Sequence, residues 1–342
     1  AFSGEEVMGK LLEYSANNGV PVKTSPWHPE PPPPLEKLAA RASLNMVRKP
    51  FQVMSLTRDT LGATVRDFLQ RPMGRFRQSR QLLNAPRTPF NRNLTRNRRL
   101  FSQAVPLARL KTLKTAIGPD ITLNDVVLGL CSETLNRYLE QHGVQPEEPL
   151  VALTPLSVRS NSLRRPTGNQ MSAMLVNLAT DEPDPAARIR LIRDNTRISE
   201  NYREAIAADR LTERLPSTMV ALSTRLYTEL QIAQRYQPPF NLPITNVPGP
   251  QVPLYLQGAR LVHQVNSAPL FHGAGLAILA VSYAGSVHFN LTLCPDLIPD
   301  GDCLPQLILE SLDAIEHSAL STNASESADQ GHFSQSSPCT DV

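Results

Sequence analysis

The chain has 342 residues, of which 41% are apolar and 19% charged, and its formal net charge is +3. That balance describes a globular protein with one large core or two ordinary ones, and it excludes a disordered chain or a nucleic-acid binder acting through overall charge. No apolar run reaches the roughly 18 residues of a membrane-spanning helix, and Cys131, Cys294, Cys303 and Cys339 lack zinc-type spacing and read as reduced thiols.

Glu5 to Tyr14 sets Val7, Met8, Leu11 and Leu12 on one face, which predicts a short amphipathic helix. PWHPEPPPP, residues 26–34, admits neither helix nor central strand and predicts an extended, polyproline-like linker. Residues 35–69 are weakly periodic and read as helical. From Arg66 to Arg99 the chain carries ten arginines and one acidic residue, Asp67.

The clearest signals begin at Pro106. ITLNDVVLGLCSETLNRYLEQHG predicts a helix capped by Thr122 and Asp125 in a Thr-x-x-Asp box, with Leu123, Val126, Val127, Leu130, Leu135, Tyr138 and Leu139 as its stripe and Gly143 as its stop. Residues 150–160 and 169–180 read as strands. Asp184 caps a further helix with Pro185 at its first position, running to about Ala207, and another helix is expected over 217–235.

NLPITNVPGP, residues 241–250, then concentrates proline and glycine into a rigid bend that would present Asn246 at a fixed angle. LYLQGARLVHQV, GLAILAVSY and SVHFNLTL read as strands, the last two joined in a hairpin at Ala284-Gly285. An amphipathic helix on Leu304, Leu307, Ile308 and Ile315 follows, and from Ser318 the sequence is too polar to predict folding. The order of elements predicts a mixed α/β layer, not a doubly wound sheet. His272 lies among glycines without a carboxylate pattern, and His263 and His288 sit in strand patterns, so all three read as ordinary side chains. HGAGL precedes a strand and opens no helix, so it is no dinucleotide fingerprint.

TLNDVVLGL, RPTGNQMSAMLVNL, ITNVPGP, PLYLQGARL and LAILAVSYAG with VHFNL, in this order and spacing, resemble the bacterial wax ester synthase/diacylglycerol acyltransferase family, from about Ala85 (APRTPFNRNLT) to about Ala319. The resemblance implies a chloramphenicol-acetyltransferase-like fold: a two-lobed α/β sandwich of mixed sheet and helices, here mainly the C-terminal lobe. The expected division is residues 1–25 as a helix behind the active-site motif, 26–100 as an inter-lobe linker, 101–320 as the C-terminal acyltransferase lobe and 321–342 as a disordered tail.

The family carries a His-His-x-x-x-Asp-Gly motif, and Ser3-Gly4 stands where its sequel is expected, which places the histidines just ahead of Ala1. The chain is therefore expected to hold no catalytic residue of its own and to lack activity in isolation. The implied reaction moves a fatty acyl group from acyl-CoA to diacylglycerol or a fatty alcohol, with no metal or other cofactor. Asn124 and Asp125, Gly168, Asn169 and Gln170, and Thr245, Asn246, Pro248 and Gly249 match family motifs and are the candidate supports of the substrate channel. For Asp125 a capping role, for the Gly-Asn-Gln motif the bracing of a loop, and for the bend a purely structural role stand beside that reading.

The arginine run admits contact with anionic lipid headgroups, neutralisation of coenzyme A phosphates, or a solvated connection. Its aromatics, Phe68, Phe76 and Phe90, are too few for a nucleic-acid module. The implied location is the cytoplasm, with peripheral attachment to the inner membrane or a lipid body. A non-catalytic lipid-binding relative of the same fold is the alternative function.

Overall fold

The computed structural model describes residues 85–157, 171–203 and 238–333. The opening helix, the proline-rich linker, Gly168-Asn169-Gln170, the helix expected over 217–235 and Cys339 lie outside the described residues. Numbered along the chain, the strands are β1 (Arg99–Pro106), β2 (Val151–Ser157), β3 (Met171–Asn177), β4 (Leu242–Val247), β5 (Tyr255–Leu256), β6 (Ala259–Arg260), β7 (Leu276–Tyr283) and β8 (Ser286–Leu293). The α-helices are α1 (Leu107–Ile117), α2 (Leu123–Gln141), α3 (Pro185–Arg203) and α4 (Leu304–Phe333).

Six strands form one mixed sheet in the order β1-β8-β7-β4-β2-β3, and β5 and β6 form a separate ribbon. β4 runs parallel to both β7 and β2, while the remaining pairs are antiparallel. The expected mixed α/β architecture is the one observed. β7 and β8 turn at Ala284 and Gly285, whose φ angles of 44° and 86° match the twist of a two-residue hairpin. Gln257 and Gly258, at 48° and 81°, repeat the device between β5 and β6.

Strand alternation gives the sheet two faces. Val105, Phe289, Ile278, Leu242, Ile244 and Val176 share one face and are buried in a continuous core with the four helices. Helix α2 is central, packing against α1, α3 and α4. Periodicity predicts a stripe on α2, yet Asp125 through Leu135 are all buried. An apolar helix enclosed on every side belongs to the middle of a core. Gly129 permits this, because a Cβ there would come within 2.3 Å of Ile189 on α3.

The opposite face is polar on β8, where His288, Asn290 and Thr292 alternate with the core residues. An irregular strap, residues 261–272, crosses it. The Asn290 Oδ1 accepts from the Asn266 amide at 3.3 Å and from the Ser102 hydroxyl at 3.0 Å, and Thr292 Oγ1 accepts from the Ala268 amide at 3.0 Å. Tyr283 anchors the strap's start, its hydroxyl donating to the Leu261 carbonyl and accepting from the Leu254 amide.

Three boundaries differ from the sequence reading. Residues 85–98 are not a free linker: Ala85, Phe90 and Asn91 are buried, and Asn91 Nδ2 donates to the carbonyls of Asn241 (2.8 Å) and Gly273 (2.7 Å). LYLQGARLVHQV forms only the short β5–β6 ribbon and then the strap, the Leu254 amide and Leu261 carbonyl meeting the Tyr283 hydroxyl of β7 rather than a neighbouring strand. Helix α4 does not stop near Ser318 but runs to Phe333. Ala319 continues its buried stripe, and the Ser318 hydroxyl donates to the Asp184 carboxylate, so polar composition misplaces the end.

Candidate functional site

The α1–α2 turn carries the first two candidates. Thr122 Oγ1 accepts from the Asp125 amide at 3.2 Å, and Asp125 Oδ2 accepts from the Thr122 amide at 2.8 Å and the Thr122 hydroxyl at 2.6 Å. This reciprocal box satisfies amides that a helix start leaves without partners. It also fixes the direction in which Asn124, one residue earlier, leaves the helix. Asp125 is fully buried, and its second oxygen has no hydrogen-bond partner among the described residues.

Strand β4 brings the next candidate to the same place. Its residues pair with β7 as Ile244 with Ile278 and Asn246 with Ala280, so Asn246 shares the helix-facing side with the core. There Asn246 Nδ2 donates to Asn124 Oδ1 at 3.4 Å, joining motifs 122 positions apart. Thr245 belongs to the opposite face of the same strand, so the structure separates it from its neighbour.

The bend after β4 is held by the β7–β8 hairpin. The Gly249 amide donates to Ser282 Oγ at 3.0 Å, the Ala284 amide to the Pro250 carbonyl at 3.1 Å, and the Gly285 amide to Gln251 Oε1 at 3.2 Å. A Cβ at Gly249 would lie 2.2 Å from the Ser282 carbonyl oxygen. The glycine is therefore required by close backbone approach. Pro248 is exposed on the outside of the bend.

The histidines are placed elsewhere. His272 Nδ1 accepts from the Leu94 amide at 3.1 Å, which occupies it structurally. His263 lies against His288 with ring centroids 4.5 Å apart and meets the Ser102 hydroxyl at 3.1 Å. Burial, reinforced by the neighbouring His263, holds His288 below the usual imidazole range. No hydrogen bond of a described histidine leads to Asn124 or Asn246. Burial pushes the Cys131 thiol up to about 12, which makes it an inert core residue. Among the described residues no group of three or more His, Cys, Asp or Glu could hold a metal ion.

Sequence reasoning passes over two participants. Ser282 receives the bend, and Arg193 on α3 reaches Asp125 at 3.7 Å. Neither contact has a local signature, because each spans tens of residues. The described arginines of the basic run, Arg87, Arg92, Arg96, Arg98 and Arg99, are exposed, and Arg98 donates to the nearby carbonyls of Thr95 and Asn97.

Comparison with known families bears on these motifs directly. The profile of the wax ester synthase/diacylglycerol acyltransferase catalytic domain matches residues 3–127, and that of the C-terminal domain of the same family matches residues 167–316. The chain belongs to this family. The two matches include Asn124 and Asn246, the residues that meet between α2 and β4.

A relative from Mycobacterium tuberculosis (strain CDC 1551), named as a diacylglycerol O-acyltransferase, is 33% identical over 298 residues, covering 85% of this chain and 58% of the relative. A second from the same strain, of similar name, is 36% identical over 216 residues, covering 63% of this chain and 47% of its own. The chain thus spans less than two thirds of the length of these relatives. The solved wax ester synthase/diacylglycerol acyltransferase of Marinobacter aquaeolei VT8 superposes with a TM-score of 0.57 at 23% identity, covering 92% of this chain and 63% of that one. The likeness establishes the acyltransferase fold for the described lobe.

Proposed function

We propose that the chain is part of an O-acyltransferase that moves a fatty acyl group from acyl-CoA to diacylglycerol or a long-chain alcohol, giving triacylglycerol or wax ester. The observation that carries this reading is the match to both the catalytic and the C-terminal domain of the family, along the same chain.

The chemistry needs a general base to take the proton of a poorly acidic alcohol, donors for the tetrahedral oxyanion, and a pocket that excludes water. In this reading the described lobe supplies the wall. Asn124 and Asn246 meet where two motifs converge, and no described residue partners the Asn124 amide nitrogen, which leaves a donor for a substrate oxygen. The base is assigned to a histidine outside the described residues. No metal or other cofactor takes part, and acyl-CoA is a co-substrate.

Peripheral contact with a membrane or lipid body belongs to the same proposal, since both acceptors are water-insoluble. No helix among the described residues is long and apolar enough to cross a membrane. The test supplies radiolabelled acyl-CoA with diacylglycerol or hexadecanol to the intact enzyme and follows neutral lipid. Incorporation into triacylglycerol or wax ester is expected. A protein that binds both substrates with no ester product would instead be the lipid-binding relative.

A further inference from the structure

The ion pair between α3 and the first turn of α2 has an unusual composition. Asp125 is 0% exposed, and a buried carboxylate requires a cation as well as hydrogen bonds. Its Oδ2 is shared between the Thr122 amide, the Thr122 hydroxyl and Arg193 Nη1, the last at 3.7 Å. Its Oδ1 and the Nε of Arg193 are both buried, and neither has a hydrogen-bond partner among the described residues. One unused acceptor and one unused donor thus belong to the two partners of the same ion pair. A guanidinium can bind a carboxylate at two points, and this pair holds that capacity in reserve.

The neighbouring arginines on α3 act elsewhere. Arg188 pairs with Glu133 in the middle of α2, and Arg190 Nε donates to the Ile117 carbonyl at the end of α1 at 3.5 Å. Arg193 is therefore the member of the series that reaches the turn bearing Asn124.

We propose that Arg193 is a positioning residue: by supplying the counter-charge to Asp125 it locks the first turn of α2, and through it the Asn124–Asn246 contact, in the geometry the acyl-transfer site uses. The functional half of this statement rests on the acyltransferase reading given above; the mechanical half does not.

Amide hydrogen exchange of the full chain tests the mechanical half. Arg193→Met, which keeps an apolar stem and removes the charge, is expected to speed exchange at least roughly tenfold in segments 120–127 and 242–248, leaving β1 and β8 unchanged. Arg193→Lys is expected to recover most of the protection. Adding Asp125→Asn to Arg193→Met is also expected to recover it, because an amide needs no counter-charge. Arg197→Met, at an exposed position on the same helix, is expected to match the wild type.

Wild-type exchange in both segments of folded Arg193→Met would overturn the proposal. If Arg193→Met fails to fold, restored folding in the double variant supports it, and a double variant as poor as the single one sinks it. In the intact enzyme, Arg193→Met should lower kcat about tenfold with KM within about twofold. An inactive wild type would remove the acyltransferase reading and leave the exchange result standing.

Discussion

Asn124 and Asn246 illustrate how a contact is assembled from two constraints that know nothing of each other. One side chain is aimed by a capping box at a helix start, the other by alternation along a strand whose register is set by β7. If their contact supports the acyl-transfer site, Asn124→Ala and Asn246→Ala should each slow the intact enzyme by roughly 10- to 100-fold, and the double variant should lose little more. Additive losses, measured as kcat/KM, would mean that the two act separately. Gly249→Ala makes a sharper structural prediction. A methyl group there meets the Ser282 carbonyl oxygen on a braced hairpin, so the fold should lose about 1–3 kcal/mol in urea unfolding. The sequence shows that NVPGP is rigid, but which neighbour forbids a side chain is visible only in three dimensions.

The helices owe their arrangement to a few buried charges as well as to apolar area. Glu133 receives Arg188 from α3 and Arg137 from its own helix, with Arg188 1% and Glu133 6% exposed. Arg188→Met would leave Glu133 only the half-exposed Arg137 as counter-charge and the Glu182 carbonyl without its donor, and is expected to cost about 2–3 kcal/mol. Glu133→Leu made together with it should restore much of that loss, a result readable from urea midpoints. Thr122→Ala removes the cap and one hydrogen bond to the buried Asp125 carboxylate, and should cost about 1–3 kcal/mol.

Much of this layer was legible in the sequence. Asp184 and Pro185 mark the start of α3, where the Ala187 amide donates to Asp184 Oδ2 at 2.9 Å, and Gly143, at φ 65°, ends α2. What escaped notice has a physical cause in each case. Ser132, Glu133 and Thr134 break the apolar pattern of α2 but are buried because each finds a partner across the core: Ser132 donates to the Leu178 carbonyl, Thr134 meets Ser311, and Glu133 takes Arg188. Asn91 and Asn241 look like loop residues, yet Asn241 Nδ2 donates to Asn91 Oδ1 at 2.8 Å and ties a presumed linker to β4.

Across the whole molecule, two histidines bias stability in opposite directions. His142 Nδ1 meets the Tyr138 carbonyl at 2.6 Å and its Nε2 meets Asp300 at 2.6 Å, and these contacts hold its pKa above the ordinary value of 6.5. The fold therefore favours protonated His142: its contribution is fully present below about 6.5 and is lost as pH rises through the higher folded value. Asp300 is drawn below 3.8 despite burial, by hydrogen bonds from Tyr138 and His142, so its share is lost only as pH falls through that lower value. His288 acts in the reverse sense to His142. Buried beside His263 and held below 6.5, it opposes proton uptake in the fold, so acidification from 6.5 downward favours unfolding. A thermal-stability profile should therefore be flattened on its alkaline side by His142→Gln and on its acid side by His288→Gln. Identical profiles for both variants would contradict these assignments.

The sheet order carries an implication for biosynthesis. β1 leaves the ribosome before every other described strand of the sheet, yet among the described strands it pairs with β8 alone, Arg99 opposite Leu293 at one end and Pro106 opposite Ser286 at the other. The earliest strand must wait for the last, while β4 must likewise find β2 and β7 by closing long loops. Until Leu293 has emerged, Val105 and its neighbours remain an open edge that other nascent chains can extend. A translation product ending between β7 and β8 is thus the species most in need of a chaperone.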